Sequence, residues 1–302
     1  MEIQQSPLYI SYIKRLGWQV EEVDGSHLFL KRFPFYGGFA KLQRCTKLPK
    51  IDHLLPILAK YRIKKLVVEP DACVTQDAFS RWLKDALPHV RLVHSPYLPT
   101  KTIRVDLIES EEEIFTRFSE AKRRAVRRAQ KNNLRIQEST NIQNLIKIKN
   151  KSSGFLGFIT TTGIDKLWPI FSPDHAAILL AYSNSVIARS EATWQSLKIA
   201  SLTPFARNDN RIIGGILLLF CDSIAYYWIA GATREGKKLF APTLLVWEAL
   251  KLAKKCGAKW FDFVGVWDER NPKQFHEWLG FTKFKEGFGG KSLYYPTATL
   301  HR

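Results

Sequence analysis

Near the end of the chain a lysine follows a phenylalanine in a glycine-rich stretch, Phe284-Lys-Glu-Gly-Phe-Gly-Gly290. Glycines let a strand bulge or let the backbone come close to a ligand. On a strand, Phe284 and Lys285 would face opposite sides, one toward the core and the other toward a surface or cleft. An edge-strand turn is the plainer reading of the same residues.

A second chemical feature lies earlier. Seven Lys/Arg fall between Lys122 and Arg135 with no acid among them. Each arginine presents a planar fork that bridges two phosphate oxygens, so Arg123, Arg124, Arg127, Arg128 and Lys131 suit an RNA backbone or a pyrophosphate. A solvated helix face is the alternative, although such faces usually mix signs. Asp262, inside Trp260-Phe-Asp-Phe-Val264, is a lone carboxylate between aromatics and must be paired or hydrogen-bonded, whether as a structural acceptor or as part of a site. Asp106, in Arg104-Val-Asp-Leu107, is its analogue in a connecting strand. Tyr226 and Tyr227 face opposite sides of one strand, so at least one serves the core.

The elements that must carry these residues follow from periodicity. In the last third they read as strand (211–220), strand (225–230), helix (243–255), strand (261–265), short helix and strand (280–290), the back half of an N-acyltransferase (GNAT-type) fold. In the first third a helix (8–16) precedes a strand meander with turns at Asp24-Gly25 and Gly37-Gly38, then a helix (51–60) and a strand (65–69). Ser110-Glu-Glu-Glu113 is a capping box that opens a helix expected to run unbroken to about Lys131. On it Ile114, Phe118, Ala121, Ala125 and Ala129 share one stripe, opposite the arginines. Both halves show helix, meander, helix, strand, which predicts a mixed α/β chain of two tandem GNAT-like domains, 1–109 and 110–302. The extreme C-terminus is expected to pack back on the first of them. Asn184 to Asn210 has no sustained period where two to five residues would join a hairpin. It reads as a functionally idle insertion.

Bulk properties narrow the partners. The chain has 302 residues, 46 Lys+Arg against 28 Asp+Glu, and a formal net charge of +18, which fits nucleic acid, acidic headgroups or pyrophosphate-carrying substrates. Hydrophobic content of 45% excludes a disordered chain. Four scattered cysteines suggest reduced thiols rather than a zinc site or a disulfide framework. No signal peptide is read at the N-terminus, and the longest apolar run, 212–221, is about half of the ~20 residues a membrane helix needs. No phosphate loop of the Gly-x-x-x-x-Gly-Lys type, serine nucleophile elbow or paired-histidine metal motif occurs. The acetyl-CoA loop pattern Arg/Gln-x-x-Gly-x-Gly/Ala is missing between 230 and 243. The nearest match, Arg234-Glu-Gly-Lys-Lys, is shifted, and Lys237-Lys238 suit a larger anionic donor.

In order and spacing the chain resembles the Fem-type peptidoglycan aminoacyltransferases. The words are Gly38-Phe-Ala-Lys-Leu-Gln-Arg44, Leu66-Val-Val-Glu-Pro70, Leu98 to Leu107, Arg123 to Ala129, Gly214-Gly215, Leu245-Val-Trp-Glu-Ala249, Asp262-Phe-Val-Gly265 and Gly280 to Gly290. The resemblance spans nearly the whole chain except Asn184 to Asn210. It implies transfer of an amino acid from aminoacyl-tRNA to a stem-peptide amine of a nucleotide- or lipid-linked muropeptide precursor, without cofactor or metal. It associates Lys285, after Phe284, with transfer. It implies precursor contacts from basic first-domain residues and a second-domain tyrosine, for which Tyr36, Lys41, Arg44, Tyr226 and Tyr227 are the candidates, with Asp106 beside them. The family's Arg and Tyr before the second-domain strands are replaced here by Thr160-Thr-Thr-Gly-Ile-Asp-Lys166, and the coiled-coil arm of some members is absent. A monomer in the cytoplasm, touching the inner face of the plasma membrane, completes the expectation.

Aminolysis of an activated ester needs positioning, a neutral amine and stabilisation of an oxyanion more than it needs a nucleophile. Two other readings stand beside this one. One is an acyl-CoA-dependent N-acyltransferase of the same fold. The other is a non-catalytic nucleic-acid-binding protein, which would show steep salt dependence and no turnover.

Overall fold

A computed structural model describes residues 1–33, 37–89, 91–93, 96–153, 161–184 and 210–298. Two mixed sheets organise the chain, as the element order predicts. The first is β1 (Gln19–Val23), β2 (Ser26–Phe33), β3 (Gly37–Gln43) and β4 (Ile63–Glu69) in sequence order. The β1–β2 turn is Asp24-Gly25 with both residues at positive φ, the conformation a tight hairpin needs. Helix α2 (Ile51–Lys60) then carries the chain back, so that β4 pairs with β3 in parallel. Leu28, Leu30, Ala40 and Leu42 turn to a core shared with α2 and with α3 (Gln76–Ala86), which Thr75 caps.

The second sheet repeats that logic on a larger scale. Strands β6 (Arg135–Ser139), β7 (Ala176–Asn184), β8 (Asn210–Cys221) and β9 (Ile224–Ala232) form an antiparallel meander. A helix at Ala241–Lys255 crosses back, and β10 (Trp260–Asp262) pairs with β9 in parallel. β5 (Lys101–Asp106) and β11 (Lys291–Tyr294) complete the order β11-β5-β10-β9-β8-β7-β6. A boundary at residue 109 would therefore separate β5 from its own sheet. Strand membership is settled by pairing with Trp260–Asp262, some 160 positions away, which no local pattern announces. The helix α1 (Pro7–Arg15), capped by Ser6, likewise packs its Tyr9, Tyr12 and Ile13 into the second sheet's core. At the other end Thr297 exchanges hydrogen bonds with Gln76 of α3, at 2.9 and 3.0 Å.

The helix predicted over 110–131 is two helices. α4 (Glu111–Thr116) carries the expected capping box at Ser110 and Glu113. Ser119 then caps α5 (Glu120–Lys131), and the Ser119 amide leaves the helical ladder to donate to Gly287 O at 2.9 Å. The break lets Ile114 and Phe118 enter the core together with Ala125, Val126 and Ala129, whereas Ala121 is exposed.

Strands β7 and β8 pair, through a bulge after Ala181, up to Asn184 opposite Asn210, so the hairpin closes where the expected insertion begins and ends. Residues 185–209 themselves lie outside the described residues. Replacing 185–209 by a four-residue turn shortens the loop by between two and three halvings, each worth about 0.6 kcal/mol of closure entropy. The expected result is undiminished soluble protein with a free energy of unfolding raised by about 1–2 kcal/mol. Loss of soluble protein would show that the segment contributes to folding.

Candidate functional site

The parallel pair β9–β10 is joined only over Ile224–Tyr226 and Trp260–Asp262. Beyond that point β9 runs on to Ala232 with no strand on that side among the described residues. A bulge helps to part the strands, because Leu217 pairs with Ile229 and Leu218 with Tyr227, leaving Trp228 outside the paired register. Three further helices frame the opening: α6 (Ile142–Ser153), α8 (Arg234–Lys238) and α9 (Ala241–Lys255), with α7 (Ile164–Phe171) behind α6. A cavity of about 280 Å³ lies there, with Lys149 and Ser152 of α6 on one wall and Lys237, Pro242 and Leu245 on the other. Tyr227 and Phe281 also line it, and among the described residues no carboxylate does. Two glycines bring α6 this close. A Cβ on Gly231 would sit 2.8 Å from Lys149 Cα, and one on Gly215 would sit 2.8 Å from Leu145 Cδ1.

Lys285 stands immediately behind those two rings. It lies on a helix, α10 (Leu279–Glu286), not on the strand expected for 280–290; the strand of that stretch is β11, which begins at Lys291. Its neighbour in space is therefore set by helical geometry, and Phe284 and Lys285 do not alternate across a sheet. The Lys285 ammonium donates to Phe263 O at 2.8 Å and Gly265 O at 2.6 Å. It lies 4.9 Å from the Phe281 ring centre and 5.7 Å from that of Tyr227. Only 9% of the residue is exposed. Burial pushes its pKa down to about 7, the charge of Lys149 pushes the same way, and Asp262 opposes both. An amine with this titration keeps both carbonyl contacts in either form. As a cation it has one N–H left for a developing oxyanion; as a neutral amine it has a lone pair.

Phe284 points elsewhere. Its ring packs edge-on to Phe288 and carries the Lys122 ammonium 3.7 Å from its centre. Burial holds Lys122 down at about 8. Phe284 thus anchors α10 to α5 and does not reach the cavity lining. The α5 cations form an exposed face beside the site rather than within it. Arg124 pairs with Glu120 at 3.0 Å, Arg123 donates to Thr116 O at 2.7 Å, and Lys131 is exposed. Arg127 and Arg128 lie 5.9 Å from the Phe115 and Phe240 ring centres, and Phe240 is the N-cap of α9.

Of the tyrosine pair, Tyr227 belongs to the cavity. Tyr226 is a core residue whose hydroxyl donates to Glu2 and accepts from the Ile3 amide. Arg44 is 5% exposed, with its guanidinium 3.3 Å from the Tyr295 ring centre and donating to Pro99 O at 2.6 Å; it ties the two sheets together. Asp106 accepts from the Ile108 amide and closes the turn after β5, away from the cavity. Lys41 is half-buried among aromatic rings, 4.9 Å from that of Trp18 and 5.0 Å from that of Tyr97, and burial lowers its pKa. It sits on the first sheet, apart from Lys285. Tyr36 lies outside the described residues. Lys149 and Ser152 were not legible as site residues. Their only sequence signal is the glycine at 231 against which they pack.

A model of the FemAB family matches residues 188–295. The resemblance to the Fem-type family is thereby borne out. The match begins inside the segment set aside as an insertion and takes in Gly215, Tyr227, Gly231, Lys237, Phe281 and Lys285. Among solved structures the chain is similar to FemX, with 18% identity, a TM-score of 0.67, and coverage of 97% of this chain and 90% of that one. It is also similar to the C-terminal domain (DUF2156) of a putative lysylphosphatidylglycerol synthetase from Agrobacterium fabrum, with 11% identity, a TM-score of 0.57, and coverage of 97% and 87%. A third is L-PGS from Bacillus licheniformis, with 11% identity, a TM-score of 0.51, and coverage of 97% and 88%. At such identities the likeness establishes the Fem-type fold. No curated protein matches the chain. Among the described residues no helix is long and apolar enough to cross a membrane.

Proposed function

We propose that this chain is an aminoacyltransferase that moves an amino acid from aminoacyl-tRNA to the stem-peptide amine of a peptidoglycan precursor, at the cytoplasmic face of the membrane. The observation that carries the reading is Lys285, seated on two carbonyls where β9 and β10 part, beside a cavity walled by Lys149 and Lys237 and within the stretch that matches the FemAB family. The acceptor amine forms a bond to the ester carbonyl carbon. The bond to the ribose oxygen breaks, the nitrogen gives up one proton as it becomes an amide, and the leaving oxygen takes up one to become a hydroxyl. Lys285, as a cation, steadies the oxyanion between these events.

The geometry before α9 favours this donor over acyl-CoA. A pyrophosphate needs free backbone N–H groups at such a helix start. Here the Gly236 amide donates to Thr233 Oγ1, the Thr243 and Leu244 amides donate to Phe240 O, and Pro242 has no N–H. The deciding assay offers aminoacyl-tRNA and acyl-CoA as donors to a nucleotide-linked and a lipid-linked muropeptide. Transfer from RNA supports the reading, and transfer from CoA alone overturns it. In the same assay, Arg124→Gln/Arg128→Gln/Lys131→Gln is expected to raise the KM for aminoacyl-tRNA by about 10- to 100-fold with kcat unchanged. The slope of log binding constant against log salt should shrink by about 0.7–0.9 for each phosphate that is no longer neutralised. An unaltered salt slope would remove that face from the RNA path.

A further inference from the structure

After β10 the backbone turns in a way its residues do not favour. Val264 is β-branched, yet its φ is +66°, the left-handed region that such side chains rarely enter. Asp262 holds it there. Its Oδ1 accepts from the Val264 amide and from the Thr102 hydroxyl, each at 2.6 Å, and its Oδ2 accepts from Arg104 Nε at 2.7 Å. Arg104 pairs in turn with Glu2. On the far side the chain has no room to relax, because a Cβ on Gly265 would lie 2.4 Å from Pro99 Cγ.

The consequence falls on Lys285. In an extended strand the carbonyls of residues i and i+2 lie about 6.6 Å apart, too far for one nitrogen to bond both. The left-handed residue between Phe263 and Gly265 draws their oxygens together, and Lys285 Nζ reaches them at 2.8 and 2.6 Å. We infer that Asp262 and Val264 are positioning residues for Lys285: the turn they hold seats the amine on two carbonyls and leaves its third nitrogen position for the reaction. The inference rests on the reading that Lys285 serves acyl transfer. The charged groups acting on the amine are Asp262 beneath the turn and Lys149 from α6, with the Tyr227, Phe263 and Phe281 rings around it.

Two readouts test it, one of them independent of activity. In the resting protein, the pH dependence of Lys285 acylation by a small anhydride, followed by mass spectrometry, gives the titration midpoint of the amine. The pH profile of kcat/KM for transfer gives the second. Asp262→Asn removes the countercharge and sets an amide nitrogen against Arg104. Its Lys285 midpoint is expected to drop by about one pH unit, which makes acylation about fivefold faster at pH 6. Transfer should fall about 100-fold with its alkaline limb shifted to lower pH. Val264→Pro removes the N–H and fixes φ near −65°, and is expected to move the midpoint and lower transfer likewise. Val264→Gly takes the same φ freely and should leave the midpoint in place. If Asp262→Asn gives no soluble protein, Thr102→Val weakens the same carboxylate's anchoring and is read by the same midpoint. A wild-type midpoint and pH profile in both Asp262→Asn (or Thr102→Val) and Val264→Pro overturns the inference. Should the wild-type protein transfer nothing from RNA, the functional reading falls, and the acylation midpoints still decide whether the turn positions the amine.

Discussion

Lys285→Met is expected to lower transfer by at least about 10²- to 10³-fold, the usual loss when one oxyanion-stabilising donor is removed from a water-poor site. The fold should survive. Phe263 O and Gly265 O lose their donor, which costs about 1–3 kcal/mol, but the chain no longer has to bury an amine that desolvation opposes. Far-UV circular dichroism and a thermal scan beside the transfer assay separate the two effects. Lys285→Arg is not a rescue, because a planar fork cannot sit on carbonyls placed for one tetrahedral nitrogen. The pH dependence carries the sign of the mechanism. With its pKa near 7, the cation that steadies an oxyanion is lost as pH rises through that value. The kcat/KM profile should therefore fall on its alkaline side from about pH 7 upward. A profile that climbs through the same range and then holds would make the neutral amine the working form, a proton acceptor instead of an oxyanion donor. Undiminished transfer by Lys285→Met would take the residue out of the mechanism altogether.

Gly231→Ala should be the next most damaging change, although it adds one methyl group. The new Cβ would lie 2.8 Å from Lys149 Cα, 3.1 Å from Lys149 N and 2.9 Å from Ser152 Oγ. Two of these are backbone or α-carbon atoms of α6, which cannot rotate away, so the helix itself must move off the sheet. Overpacking of this kind costs about 1–3 kcal/mol. Because Lys149 and Ser152 form a wall of the cavity, the displacement should also cost about 100-fold in kcat/KM, in line with the effect of misplacing a site by about 1 Å. Gly280→Ala is the matched control. Nothing lies within 4 Å of a Cβ there and the residue is helical, so the substitution should stabilise by about 0.5–1 kcal/mol. Equal thermal midpoints for Gly231→Ala and the wild type would show that α6 does not depend on that close approach.

Several features were legible because they are written in neighbouring residues. Asp24-Gly25 specifies a tight turn, Ser110 to Glu113 a cap, and the crossover at Ala241–Lys255 a long helix between strands. The loss of periodicity at Asn184 and its return at Asn210 coincide with the last paired residues of β7 and β8. Where the reading failed, the deciding partner lies far along the chain. Leu279–Glu286 is an eight-residue helix between two glycine-containing ends, too short for its period to separate it from a strand. The helix break at 117–119 is made by Gly287, and the sheet membership of β5 by Trp260–Asp262.

Residue types and their order thus determined on their own that this is a basic, mixed α/β chain that resembles the Fem-type family, and they singled out Lys285 as a candidate cation. Tertiary structure alone decided what that lysine touches. Alternation along β9 puts Tyr226 and Tyr227 on opposite faces, but only the packed sheet shows that Tyr227 meets the cavity while Tyr226 is spent on Glu2. The physical reason is range. Turn, cap and periodicity preferences act over a few residues, whereas burial, desolvation of an amine and the parting of two strands arise from groups 20 to more than 200 positions apart, as in Lys285 with Phe263 and Tyr226 with Glu2.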